Sequence, residues 1–253
     1  MSRHARHFAL PQVGESGQRR FAESSVLLIG VGGIGCAAAS YLATSGVGRI
    51  VLNDFDTVDE TNLGRQVLFG PEDIGKPKAS VAASRLTTMN PEIEVSVIDE
   101  RLDAAGMARA VDDVDIVVDG CDNFATRFLV NDTCVAASRC LVSGSAIRLE
   151  GQLAVFGPDY HTSPCYRCLY EDADETLENC AGNGVLAPVP GVIGTLMGVE
   201  TLKYLAGLES PRGRLQLYDA GDGGFRTIEI RKRSDCPSCS RTQSAIPRAL
   251  SAE

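Results

Sequence analysis

The chain has 253 residues, 44% of them hydrophobic and 23% charged, with a formal net charge of −9. That length suits one large domain, or one domain with an appendage, and the apolar content can bury a substantial core. No run of Lys and Arg is dense enough to track a phosphate backbone, which argues against nucleic acid as a partner.

Residues 1–24 form an N-terminal segment. Residues 26–48 carry no charge, a stretch long enough to span a bilayer, but six glycines interrupt it and its first four residues are β-formers. No secretory n-region precedes it, so a cytoplasmic location with no membrane partner is expected. The run reads as a strand at 26–29, a glycine loop and a helix containing Tyr41 and Leu42. With the strand at 49–53 this makes a parallel unit of about thirty residues. Buried strands follow at 94–98, 115–119 and 140–143, separated by helical patterns near 77–89, 104–111 and 124–138. After Glu150 the texture changes: 152–156, 215–218 and 226–230 look like strands without intervening helices, and 193–205 is the one late helix. The expected fold is α/β, a Rossmann-like doubly wound and mainly parallel sheet continued by antiparallel strands. It forms a single domain over 1–240, with a nucleotide-binding core at 25–150, late strands and a cysteine region at 151–240, and a loose tail at 241–253.

Gly30, Gly32, Gly33 and Gly35 follow a strand and open a helix, where glycines let the backbone approach a phosphate at a helix N-terminus. Asp54 ends the second strand, nineteen residues after Gly35, where a carboxylate can accept hydrogen bonds from ribose hydroxyls. Both features serve NAD and ATP alike. Hydride transfer needs an acid or base near the substrate, yet two of the three histidines, His4 and His7, lie near the start and His161 lies beside the cysteines. Instead Asn62, Arg65 and Gln66 follow the second strand, and Lys78 opens a helix, on the side where open sheets bind ligands. Cations there suit phosphates. Asp122 ends the fourth strand, where it could hold Mg²⁺ or simply cap the following helix.

Nine cysteines in a chain without an export signal point to metals or chemistry rather than disulfides. Cys36, Cys121, Cys134 and Cys140 stand singly and read as small buried residues. Cys165-x-x-Cys168 and Cys236-x-x-Cys239 are knuckles of the kind that supply thiolate pairs to Zn²⁺, although two independent redox pairs fit the spacing too. Cys180 lies in a polar stretch near Glu171, Asp172, Asp174, Glu175 and Glu178, carboxylates that would raise a thiol pKa. It reads either as a surface thiol or as a nucleophile.

Together these residues resemble the ThiF/MoeB/HesA family of sulfur-carrier protein adenylyltransferases, relatives of ubiquitin-activating enzymes. The resemblance covers nearly the whole chain. It rests on residues 3–6, 30–35, 54–56, 62–66, 76–78, 119–123, 143–152 and 191–194 and on both cysteine pairs. One departure is Gly64, where the family usually has Gln, and a local loosening of that loop is expected. The resemblance implies MgATP-dependent adenylation of the C-terminal glycine of a ubiquitin-like sulfur carrier ending in Gly-Gly, with release of pyrophosphate. It adds Asp56 and Asn123 to Gly30, Gly32, Gly33, Gly35, Asp54, Asn62, Arg65, Gln66, Lys78 and Asp122 as nucleotide contacts, with Asp122 holding Mg²⁺. It implies that Arg65 and Lys78 offset phosphate charge and that Arg6 crosses a homodimer interface to the partner's triphosphate. It places one structural Zn²⁺ on Cys165, Cys168, Cys236 and Cys239, gives Cys180 a covalent acyl link in ThiF-like members, and implies a persulfide-donating sulfurtransferase as a partner. The wording around Cys180, 191–196 and Cys236 favours the thiamine thiazole branch over the molybdopterin branch. An NAD-dependent dehydrogenase and a non-catalytic nucleotide sensor are the alternatives from other classes.

Overall fold

The computed structural model describes residues 3–171 and 184–240. Five parallel strands, β1 (Ser25–Ile29), β2 (Arg49–Asn53), β3 (Glu94–Ile98), β4 (Ile116–Asp119) and β5 (Cys140–Ile147), are followed by antiparallel β6 (Glu150–Phe156), β7 (Arg214–Asp219) and β8 (Gly224–Glu229). They form one sheet in the order β3-β2-β1-β4-β5-β6-β7-β8. β1 pairs with both β2 and β4, so the strand order reverses beside it and opens a crevice at the carboxyl ends. Val26, Leu27, Leu28 and Ile29 are all buried, as expected of a central parallel strand covered on both faces.

The helices are α1 (Ala5–Phe8), α2 (Gly14–Glu23), α3 (Gly33–Thr44), α4 (Lys78–Met89), α5 (Ala104–Asp112), α6 (Phe124–Ala137), α7 (Tyr166–Leu169) and α8 (Pro188–Leu205). On one face Val26, Leu28, Ile50, Leu52, Ile116 and Val118 pack under α3, α4 and α8. On the other, Leu27, Val51, Val117 and Leu141 pack under α5 and α6. The period-two alternation thus feeds two separate cores.

The uncharged run at 26–48 divides into β1, the glycine turn and α3, and among the described residues no helix is long and apolar enough to cross a membrane. The late helix begins at Pro188, five residues before the expected start at 193. Prolines read as breakers, but in a first helical turn the missing N–H costs nothing and the fixed φ is already helical. The N-terminal segment contains α1 and α2. Of α2 only Gly17, Gln18 and Phe21 are buried, too few apolar positions to print a helical stripe on the sequence.

Candidate functional site

A cavity of about 710 Å³ lies along the carboxyl ends of β2, β1, β4 and β5 and reaches Gln152 on β6. It is lined by the glycine loop, by Asp54, Asp56, Asn62, Arg65, Gln66 and Lys78, and by Asp122 and Asn123. The loop shape follows from its glycines. Gly30 has φ +81°, and a Cβ there would lie 3.1 Å from the backbone of Cys121. A Cβ on Gly35 would lie 2.0 Å from the carbonyl oxygen of Gly30. Gly35 does not line the cavity; it lets α3 close against β1. Gly32 is the N-cap of α3 and no side chain caps that terminus, so the first-turn N–H groups and the helix dipole are left for an anion.

The polar residues hold one another at the β2 end. Asp54, 9% exposed, accepts the Val31 N–H at 2.7 Å through Oδ2 and the Asp56 N–H at 2.9 Å through Oδ1, which ties the glycine loop to β2. The Lys78 ammonium, nearly buried, lies 3.1 Å from Oδ2 of the exposed Asp56. Asn62 closes a capping box with Asp59, and its carbonyl accepts the N–H groups of Arg65 and Gln66, so the turn through Gly64 is hydrogen-bonded on both sides rather than loosened. A side chain at 64 would meet nothing within 4 Å. Gln66 is 3% exposed, lines the cavity, and its Oε1 has no partner. An orphan buried acceptor on a residue that lines a cavity fits a site that takes a polar ligand or water. At β4, Asn123 rather than Asp122 caps α6, accepting the Thr126 N–H at 2.9 Å. The Asp122 carboxylate is exposed at the cavity and is not used as the cap.

The two knuckles meet. The sulfurs of Cys165, Cys168, Cys236 and Cys239 all lie within 4.8 Å of one another, with Cys165–Cys236 at 3.6 Å and Cys168–Cys239 at 3.5 Å. Those gaps exclude disulfides and match the roughly 3.8 Å between sulfurs set tetrahedrally around a metal at about 2.3 Å. The independent-pair reading does not survive this geometry. Cys36, Cys121, Cys134 and Cys140 are buried, and burial pushes the thiols of Cys36 and Cys140 up to about 12, so they are inert. Cys180 lies outside the described residues. Arg6 is exposed on α1 and does not line its own chain's cavity.

With this geometry in hand, comparison with known proteins is direct. A model of the ThiF family matches residues 4–238. The chain belongs to the ThiF family. The Sulfur carrier protein ThiS adenylyltransferase of Escherichia coli is 43% identical over 94% of both chains. The Sulfur carrier protein adenylyltransferase of Thermus thermophilus is 42% identical over 94% of this chain and 90% of its own length. Adenylyltransferase and sulfurtransferase MOCS3 of Xenopus laevis is 45% identical, but this chain spans only 53% of it. Among solved structures, E. coli MccB with ATP superposes with a TM-score of 0.82 at 26% identity, covering 94% of this chain and 73% of that one.

For a ThiF-family chain the sequence reading overlooked the middle and far side of the cavity. Arg127 is 6% exposed; its guanidinium donates to the carbonyl of Cys121, to that of Gly144 at 2.9 Å and to Ser143 Oγ at 3.1 Å, and lies 3.6 Å from the buried Asp119 carboxylate. It clamps the β4–α6 turn that carries Asp122 onto β5. Tyr166 and Tyr170, with ring centroids 5.0 Å apart, form the far wall, and Tyr170 donates to Gln152 Oε1 at 2.7 Å. One signal was available: Asp119, Asp122 and Arg127 sit within nine residues at the end of a buried strand.

Burial, the largest influence, pushes the Asp54 carboxyl above the ordinary carboxylate range, against the opposing hydrogen bonds from Asp56 and Val31 and the Lys78 charge. A raised value means that, as pH falls, folded Asp54 takes up its proton sooner than an exposed aspartate would. The anion that orders the loop is then lost. ATP affinity should therefore decline through this raised titration as the solution is acidified, and Asp54→Asn should bind more weakly at neutral pH and lack that step. Calorimetric ATP titrations across pH check this; an unchanged acid limb in the Asn variant would refute it.

Proposed function

We propose that this chain is an ATP-dependent adenylyltransferase acting on the C-terminal glycine carboxylate of a ubiquitin-like sulfur carrier. The observation that carries the reading is that one cavity joins cations, an uncapped helix N-terminus and the Asp122 carboxylate to an aromatic wall with room for a second substrate. A carboxylate oxygen of the carrier attacks the α-phosphorus of ATP, the bond from that phosphorus to the bridging oxygen breaks, and pyrophosphate leaves with the electron pair. No proton need move, which fits a site whose described lining contains no histidine. Asp54 would orient the ribose, Asp122 would hold Mg²⁺, and Arg65 and Lys78 would offset phosphate charge. Arg6 would reach the triphosphate of a second copy in a homodimer. The four cysteines fit a structural Zn²⁺, being soft donors whose sulfurs lie within 4.8 Å of one another, with Cys165, Cys236 and Cys239 fully buried.

The thiamine thiazole pathway is favoured by the wording of the sequence around Cys180, 191–196 and Cys236, and the E. coli ThiS adenylyltransferase is among the similar proteins at 43% identity. A persulfide-donating sulfurtransferase is the partner expected to consume the acyl adenylate, and Cys180 is a candidate for a covalent link to the carrier. Incubation with MgATP and candidate carriers of both the thiamine and molybdopterin type, followed by mass spectrometry, should show one adenylyl group on the terminal glycine. No adenylate on any Gly-Gly carrier, together with quenching of nicotinamide fluorescence on titration with NADH, would overturn the proposal in favour of a dehydrogenase.

A further inference from the structure

A metal held by four thiolates leaves the site with two net negative charges, because one divalent cation meets four anions. Cys165, Cys236 and Cys239 are each fully buried, so that charge sits out of water, where it is costly unless compensated. The surrounding groups show how it is met. Asn131, itself completely buried, points Nδ2 at Cys165 Sγ from 3.8 Å while its Oδ1 accepts the Tyr166 N–H at 2.8 Å. The backbone N–H of Arg233 donates to Cys168 Sγ at 3.5 Å. Both donors are neutral. The nearby arginines are engaged elsewhere: Arg167 with Asp132, and Arg233 with Asp235 and Glu171.

Lys232 is different. Its ammonium lies 3.0 Å from Cys239 Sγ, and among the described residues its other acceptors are the carbonyls of Tyr160 at 2.6 Å and of Ser163 and Cys239 at 3.4 Å. Among the described residues it forms no ion pair with a carboxylate and is the one charged donor to a cluster sulfur. We infer that Lys232 is the counter-charge of the four-cysteine metal site, and that its hydrogen bond to Cys239 withdraws electron density from that thiolate and shields the site from electrophiles and oxidants. The inference rests on the metal assignment made above. A charge-assisted hydrogen bond into a sulfur lone pair competes with attack by that same lone pair. The effect is local: Cys239 is shielded by the ammonium, Cys165 only by an amide.

The test uses the purified full chain in its metal-bound form, treated with N-ethylmaleimide beside a chromogenic zinc chelator, with the modified cysteines identified by mass spectrometry at early times. Lys232→Met should release zinc about tenfold faster than wild type, with Cys239 modified ahead of Cys165, and Lys232→Arg should stay near wild type. Release at the wild-type rate would overturn the inference. So would faster release with all four cysteines modified in parallel, because loosening of the carbonyl contacts exposes every ligand alike. If Lys232→Met does not load metal, Lys232→Gln, which keeps a donor without the charge, should release zinc faster than Lys232→Arg; equal rates would overturn the role of charge. Less than half an equivalent of zinc in untreated wild type would instead refute the metal assignment, an outcome distinct from a metal-loaded protein indifferent to Lys232.

Discussion

Protein carrying Asp122→Asn exchanges pyrophosphate into ATP at least about 100-fold more slowly than wild type, and Lys78→Ala and Arg65→Ala fall by a similar factor, the usual cost of removing one group aimed at developing charge. The three line one cavity, and Asp122 and Arg65 are inexpensive to the fold. Asp122 is exposed and caps nothing. Removing Lys78 leaves Asp56, whose side chain is 59% exposed, hydrated, but takes a favourable charge from the buried Asp54 carboxylate. The hydrogen bond from the Arg65 side chain to the Thr61 carbonyl spans one exposed turn. Asp122→Asn and Arg65→Ala should therefore each cost no more than about 1 kcal/mol, roughly 2–4 °C in Tm for a domain of this size, and Lys78→Ala more than either. The pairing of Lys78 with Asp56 adds a further expectation. In the free protein the ammonium is held by a carboxylate, and ATP must draw it away, so Asp56→Asn should tighten ATP binding or leave it unchanged rather than abolish it. Exchange kinetics with melting curves on the same preparations check the set, and wild-type exchange in all three variants would end the adenylyltransferase assignment.

Such a site is legible in sequence where chemistry is local. Gly30, Gly32 and Gly33 announce a backbone that must approach something, Asp54 follows at a fixed interval, and Lys78 follows a proline at a helix start. Each of these depends on neighbours a few residues away. Arg127 is missed because its meaning is tertiary. In sequence it is one more charged residue on a helix, and only the pairing of β4 with β5 brings the Gly144 carbonyl and Ser143 Oγ to it. The tyrosines are missed for a related reason. They lie inside and just after a cysteine knuckle, so the metal reading absorbs them, and their place in the cavity appears only once the knuckle is folded against α6. The strands β6 to β8 are legible as strand-like segments without intervening helices, yet β5 runs to Ile147, four residues beyond the apolar run that marked it, because the hairpin with β6 satisfies its backbone whatever the side chains are.

The cysteine cluster gives the second large effect. Removing its metal, or replacing Cys236 with Ser, is expected to lower Tm by roughly 10–20 °C, since structural zinc sites contribute several kcal/mol of folding energy and each kcal/mol is about 2–4 °C here. The loss should also be uneven. Cys165 is the N-cap of α7 and Cys168 lies within it, and this short helix carries Tyr166 into the cavity wall, with Tyr170 one turn later. Ser238, between the second pair of ligands, donates to Asp132 of α6, which also accepts from Arg167, so both knuckles are tied to α6 at one carboxylate. The hydrogen bonds and the ion pair that set the glycine loop, Asp54 and Lys78 involve none of the four cysteines. Metal-free protein below its melting point should accordingly retain ATP affinity within about threefold, the change that roughly 0.6 kcal/mol would produce. Transfer of the adenylyl group to a carrier should be lost, because the wall that would seat the carrier's tail is no longer held. Calorimetry with an ATP analogue and carrier adenylation, measured on one chelator-treated sample and again after zinc is restored, separate the two ends of the cavity. Parallel loss of both would mean that the cluster supports the whole sheet rather than the acceptor wall.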